Sequence, residues 1–228
     1  MSQLTASERA FEHFCTAHGI VYERVPATQS RTPDYLITLG GQQIVTEIKQ
    51  IDPNPEEQRE ITDFAAKGWI VGGKGAPGDR IRKVIDHANT QIKTQTKGRL
   101  PSLVVVCDNV PHASHTAPYC ILVAMYGLQQ YNLHIQHDPS QRVRLVGVSF
   151  GGKRQMTPSS NTSTSAVAVL RGEDPAHCML DVYHNIHALV QLNPAVFGGL
   201  PVRQYTLPAP NSGQFQDWIE IEDLGSIG

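Results

Sequence analysis

Cysteine is scarce in this chain and nowhere paired. Cys15, Cys107, Cys120 and Cys178 form no C-x-x-C unit, which argues against a disulfide framework or a zinc site and leaves buried thiols, with apolar neighbours at all but Cys178, as the expectation. Long apolar runs are missing too. No stretch approaches the roughly 18 consecutive apolar residues of a membrane span, and the opening Met1-Ser2-Gln3-Leu4 has no basic segment followed by an apolar one. A cytoplasmic protein with no membrane partner is therefore expected. Nor is there an excess of one charge: 19 Lys and Arg stand against 21 Asp and Glu, a net charge of −2, so nucleic-acid binding would need a local patch. What is present is ordinary globular composition, 40% hydrophobic and 18% charged over 228 residues, which excludes a fibrous repeat and a wholly disordered chain. The length suits a single domain over 1–228.

Residues 4–19 read as an amphipathic helix, with Phe11, Phe14, Cys15 and His18 at i, i+3, i+4 and i+7 and Gly19 as the stop. Thr5-x-x-Glu8 is a capping box. At about 100° per residue, Glu8 lies about 60° from Phe11 and about 20° from Cys15, at the margin of the buried stripe; Glu12 lies farther toward solvent. Residues 35–50 read as a β-hairpin around Gly40-Gly41, the pair that a two-residue I′ or II′ turn favours. If Leu39 faces Gln42, then Ile37 meets Ile44, Leu36 meets Val45, and Asp34 meets Glu47. Both faces carry apolar residues, as in a sheet covered on each side by helices. The expected fold class is α/β, a mixed central sheet flanked by helices.

Residues 52–79 read as a loop-rich connection with a short helix over 55–67. A helix follows over 80–94, from the stripe Ile81, Val84, Ile85, Ala88 and Ile92, and a buried strand over 103–107. Further along, 121–126, 142–150, 165–170 and 179–183 read as strands, 158–164 as a polar loop, and 194–213, with four prolines, as extended and irregular.

The chemistry concentrates in Thr32-Pro33-Asp34 and Thr46-Glu47-Ile48-Lys49. Like charges opposed across a strand pair destabilise it, so an Asp34/Glu47 pair needs an offset, which a divalent cation supplies. Hard oxygen ligands without Cys or His suit Mg²⁺ or Mn²⁺. Lys49 shares the Glu47 face, where it would stabilise developing negative charge or hold an attacking water. This is equipment for phosphodiester hydrolysis.

Pro33-Asp34 followed by Glu47-Ile48-Lys49, behind a helix carrying Glu8, resembles the PD-(D/E)XK nuclease superfamily of restriction endonucleases and archaeal-type Holliday-junction resolvases. The resemblance covers about residues 5–107, in the order helix, hairpin, helix, strand. It implies a restriction endonuclease-like core in 1–110, with 111–228 adding a β-rich extension. By the family pattern Asp34 and Glu47 bind Mg²⁺ or Mn²⁺, the Ile48 carbonyl adds a ligand, and Lys49 is catalytic. Glu8 supplies the acid of the first helix, Glu12 is the reserve, and Gln50 touches the water or the scissile phosphate.

Residues 67–99 hold eight basic side chains against Asp79 and Asp86. Within this patch Lys74, Arg80, Arg82 and Lys83 are candidates for phosphate contacts, the arginines at a helix start beside flexible glycines; Trp69 reads first as a core anchor and second as a residue that stacks on a base. A solvated helix face is the ordinary reading of the same run. The P-loop-like run Gly68 to Gly75 lacks the required Ser or Thr, the histidines lack finger-like spacing, and no nucleophile elbow is present. The expected function is a Mg²⁺-dependent endonuclease acting on DNA. A non-catalytic binding or assembly module with the same fold, and a metal-dependent RNase, stay open beside it. A homodimer is compatible with double-strand cutting.

Overall fold

The computed structural model describes residues 4–26, 32–68, 75–111, 114–135, 142–172, 178–208 and 216–222. Its first helix, α1 (Ala6–Ala17), starts at the expected capping box: Thr5 Oγ1 accepts the Glu8 N–H at 3.1 Å, and Glu8 Oε2 accepts the Thr5 N–H at 2.6 Å. Strand β1 (Val21–Arg24) runs antiparallel to β2 (Tyr35–Leu39), which turns through Gly40 and Gly41, at φ 52° and 79°, into β3 (Gln42–Ile51). Two successive positive φ values define a type I′ turn and favour glycine at both positions. The hairpin register is the expected one, pairing Leu39 with Gln42, Ile37 with Ile44 and Leu36 with Val45.

Helices α2 (Pro55–Lys67) and α3 (Asp79–Thr96) lead into β4 (Ser102–Asp108), which lies parallel to β3. Helix α4 (Pro118–Tyr126) and the antiparallel pair β5 (Gln129–His134) and β6 (Arg144–Phe150) follow. The chain returns to the main sheet through β7 (Ala166–Arg171), β8 (Met179–His184), β9 (Val202–Thr206) and the short β10 (Ile219–Glu220). The eight described strands of that sheet are ordered β1-β2-β3-β4-β7-β8-β9-β10, with β3, β4 and β7 mutually parallel and antiparallel pairs at both flanks.

A core fills each face of the sheet. Phe11, Phe14 and Cys15 of α1 pack on Ile37, Ile44, Ile48, Leu103 and Val105. On the other face Ile81, Ile85, Ala88 and Ile92 of α3, with Ile121, Leu122 and Met125 of α4, pack on Val104, Val106, Val167 and Val169. Alternation along β3 separates the two, so Ile44 and Ile48 look toward α1 while Glu47, Lys49 and Ile51 look toward α3. No helix among the described residues is long and apolar enough to cross a membrane.

The structure corrects several expectations. Residues 121–126 are helix α4, not a strand: every residue from Ile121 to Tyr126 is buried, and an apolar run buried all round has no period to separate the two. Strands β1 and β5 were not anticipated. The proline-rich segment carries a 3₁₀ turn, Pro194–Phe197, and strand β9 rather than staying irregular. Cys178 is buried despite its polar neighbourhood in sequence, whereas Cys120 is only half-buried.

Helix α3 is held at its start by Gly78, at φ 77°, where an added Cβ would stand 2.7 Å from the Cys120 carbonyl and 2.8 Å from the Ala124 nitrogen. Both obstacles are backbone of α4, and the φ itself disfavours a side chain. Gly78→Ala is expected to destabilise the protein by about 2–4 kcal/mol, read as a lowered denaturant midpoint at unchanged m value.

Candidate active site

Asp34 directly precedes β2. Tyr35 pairs with Thr46, and continuing that register by one residue brings Asp34 level with Glu47. Asp34 Oδ2 accepts the Ile48 N–H at 2.7 Å, which fixes the carboxylate against β3. Glu47 is 0% exposed. One of its oxygens, Oε1, is ion-paired with Lys49 Nζ; the other, Oε2, is buried with no hydrogen-bond partner among the described residues.

A buried carboxylate with one oxygen unsatisfied is costly unless it is protonated or finds a cation. Burial pushes the Glu47 carboxyl up to about 7; the Asp34 charge adds to the rise, while Lys49 and, less, the Asp34 backbone N–H oppose it. Asp34 is also raised, first by burial, with the Ile48 N–H and Lys49 pulling the other way and the Glu8 charge adding to the rise. Two acids thus compete for one lysine in a desolvated place.

Lys49 is positioned from a second element. Its Nζ donates to Gln91 Oε1 of α3 at 3.2 Å, and Gln91 Nε2 donates to the Thr32 carbonyl at 3.0 Å. Gln91 therefore braces both the lysine and the segment that presents Asp34. The sequence reading missed it; its one signal is its place beside Ile92 at the edge of the apolar stripe of α3.

Asp34, Glu47 and Lys49 come together; at Ile48 it is the N–H, not the carbonyl expected as a ligand, that is seen bonded to Asp34. Glu8 is half-buried in its capping box, and its charge is felt at Asp34. Glu12 is committed elsewhere: Arg24 Nε and Nη2 donate to it at 2.5 and 2.7 Å and the Tyr35 hydroxyl at 2.8 Å, so that Arg24 above all holds its carboxyl below the usual range. Gln50 lies on the opposite sheet face. Its Oε1 accepts from Ser7 N at 3.2 Å and Ser7 Oγ at 2.9 Å, and its Nε2 donates to Asp52 at 2.7 Å, tying the start of α1 to the end of β3.

The arginines assigned to phosphate contacts are occupied inside the protein. Arg80 donates to the Asp52 carbonyl at 2.5 Å and to Glu57 at 3.0 Å. Arg82 is buried, bonded to the Val123 and Pro77 carbonyls at 3.3 and 3.1 Å and paired with Asp79. Its position three residues before Ile85 put it within the buried stripe, a signal that a count of charges does not carry. Lys83 is exposed. Lys74 and Trp69 lie outside the described residues.

Among the described residues, no three His, Cys, Asp or Glu side chains group closely enough to hold a metal ion by themselves. The Asp34 and Glu47 carboxylates nevertheless form a hard-oxygen pair with one unpartnered buried oxygen. That donor set fits Mg²⁺, which keeps several waters and takes one or two carboxylates.

The raised Glu47 pKa has a thermodynamic sign. A carboxyl whose folded-state value lies above its ordinary 4.5 stabilises the fold while protonated, so the contribution is complete below about pH 4.5 and is lost as pH rises through about 7. For metal-free protein, the melting temperature is expected to fall between about pH 5 and about pH 8 more steeply than in Glu47→Gln. Thermal denaturation of both proteins across that range checks it; parallel curves would contradict it.

Compared with family models, curated proteins and solved structures, the chain matches none of them.

Proposed function

We propose that this chain is a divalent-metal-dependent nuclease with a restriction endonuclease-like core, hydrolysing phosphodiester bonds in DNA at Asp34, Glu47 and Lys49. The observation that carries the reading is Glu47, fully buried opposite a second acid and left with one oxygen unpartnered. A merely structural carboxylate at that place would be expected to have donors on both oxygens, as buried Asp181 has from Arg171 and Arg203.

Asp34 and Glu47, with the Ile48 carbonyl, would hold Mg²⁺ or Mn²⁺, and Glu8 would act on the same site through Asp34 or through a water. The ion, when bound, lowers the pKa of a coordinated water and polarises a phosphoryl oxygen. Lys49, held by Gln91, orients the attacking water or neutralises charge gathering on the phosphate. The water oxygen would give up a proton to solvent as it bonds to phosphorus, the bond to the leaving oxygen would break, and that oxygen would take a proton from solvent. With Arg80 and Arg82 turned inward, backbone contacts outside the centre fall to exposed cations such as Lys83.

Purified protein incubated with plasmid, linear duplex, single-stranded and branched DNA, and with RNA, in Mg²⁺, Mn²⁺ or EDTA tests this. Metal-dependent cutting of DNA is expected, reduced at least about 100-fold in Lys49→Ala and in Asp34→Asn. Cutting of RNA alone would move the substrate assignment, since the 2′-hydroxyl is the distinguishing group. Folded protein that binds the ion and cuts nothing would contradict the nuclease and favour a binding module.

A further inference from the structure

Strands β5 and β6 form a two-stranded ribbon outside the main sheet. Its ladder pairs Tyr131 with Val148 and Asn132 with Gly147, then shifts by one residue so that Leu133 faces Leu145, leaving Val146 as a bulge. Alternation then gives the ribbon two unlike faces. One carries Gln130, Asn132, His134, Arg144 and Ser149; the other carries Tyr131, Leu133 and Leu145, continued past the ladder by Ile135 and Val143.

The apolar face begins inside the protein and runs out of it. At its base Phe150 packs on Tyr126, with ring centroids 5.8 Å apart, and Gln129 exchanges hydrogen bonds with the Gln216 backbone. Beyond that anchor, Tyr131, Leu133, Ile135, Val143, Leu145 and Val146 are 52–70% exposed. The other large exposed apolar side chains of the described residues, apart from neighbouring Leu128, are single positions on other elements: Val21, Tyr119, Leu189 and Ile219.

An isolated two-stranded ribbon is at best marginally stable in water, and burial of one face is what stabilises such a pair. We propose that a second copy of this chain covers it, the two ribbons meeting by their apolar faces about a twofold axis. The five side chains of this face, with Val146 of the bulge beside them, expose on the order of 600 Å², the upper end of the largest patch on an ordinary monomer. Two copies face to face would remove about 1,200 Å² from water, where specific interfaces begin. The face carries no charge, so it asks for an equally apolar surface rather than an acidic or basic partner, and a twofold pairing supplies one from the identical ribbon. The polar face, with His134 and Arg144, stays in water. This inference does not depend on the nuclease reading.

Sedimentation equilibrium of the full chain over about 1–100 μM tests it. The mass is expected to rise from 25.0 kDa toward twice that value. Leu133→Asp combined with Leu145→Asp, which sets carboxylates opposite each other on the apolar face, is expected to weaken the dimer at least about 100-fold. Gln130→Asp on the polar face should leave it intact. Should the double variant misfold by circular dichroism, hydrogen exchange of wild type gives the same answer: β5 and β6 amides slow at high concentration and fast at low. A wild type monomeric throughout the range overturns the proposal. So does a dimer that survives the double substitution in folded protein.

Discussion

Two carboxylates set against each other at the edge of a hydrophobic core, with one lysine paired to Glu47, are the constraint on which the local structure depends. Continuing the hairpin register places Asp34 level with Glu47, and the Ile48 N–H holds Asp34 in place at 2.7 Å. The same alternation that buries Ile48 against α1 turns Glu47 and Lys49 toward α3. Gln91 of α3 then fixes the lysine and the chain before Asp34 together. If the register slipped by one residue, the acids would exchange faces with the core residues of β3, and neither face would pack.

A second buried acid on the same sheet shows that this arrangement is not the ordinary way the fold treats a carboxylate. Asp181 on β8 is also nearly inaccessible, yet Arg203 Nε and Nη2 donate to it at 2.7 and 2.9 Å and Arg171 Nε at 2.6 Å. Both its oxygens are satisfied by charged donors, the condition under which a buried charge is tolerated. Glu47 has a single lysine and at most the Asp34 backbone N–H to set against a second acid opposite, and its Oε2 makes no hydrogen bond of ordinary geometry among the described residues. The contrast separates a structural ion pair from a site that stays electrostatically incomplete.

The elements that build this centre were legible in the sequence because their local signals are specific. A Gly-Gly turn between β-prone arms fixes a register, and the register fixes which acids meet; the capping box of α1 was equally readable from Thr5 and Glu8. Other parts were illegible for physical reasons. Helix α4 is apolar throughout, so it carries no amphipathic signal and reads as well as a strand. Arg80 and Arg82 looked like surface cations because a charge count ignores partners, and Asp52, Glu57 and Asp79 lie in loops or helix starts whose positions only the tertiary structure reveals. Gln91 could not be assigned because its role arises from a contact with Lys49, 42 residues away.

Glu47 and Asp34, on the proposed function, form an incomplete centre that a divalent cation would complete. Calorimetric titration of Mn²⁺ near neutral pH, in two buffers of different ionisation enthalpy, tests it most directly, because a carboxyl raised to about 7 is partly protonated there and an ion entering this centre displaces that fraction of a proton. The account predicts one ion per chain, with proton release that disappears together with binding in Glu47→Gln. A wild type that binds no ion, or binding that is unchanged in Glu47→Gln, would contradict it.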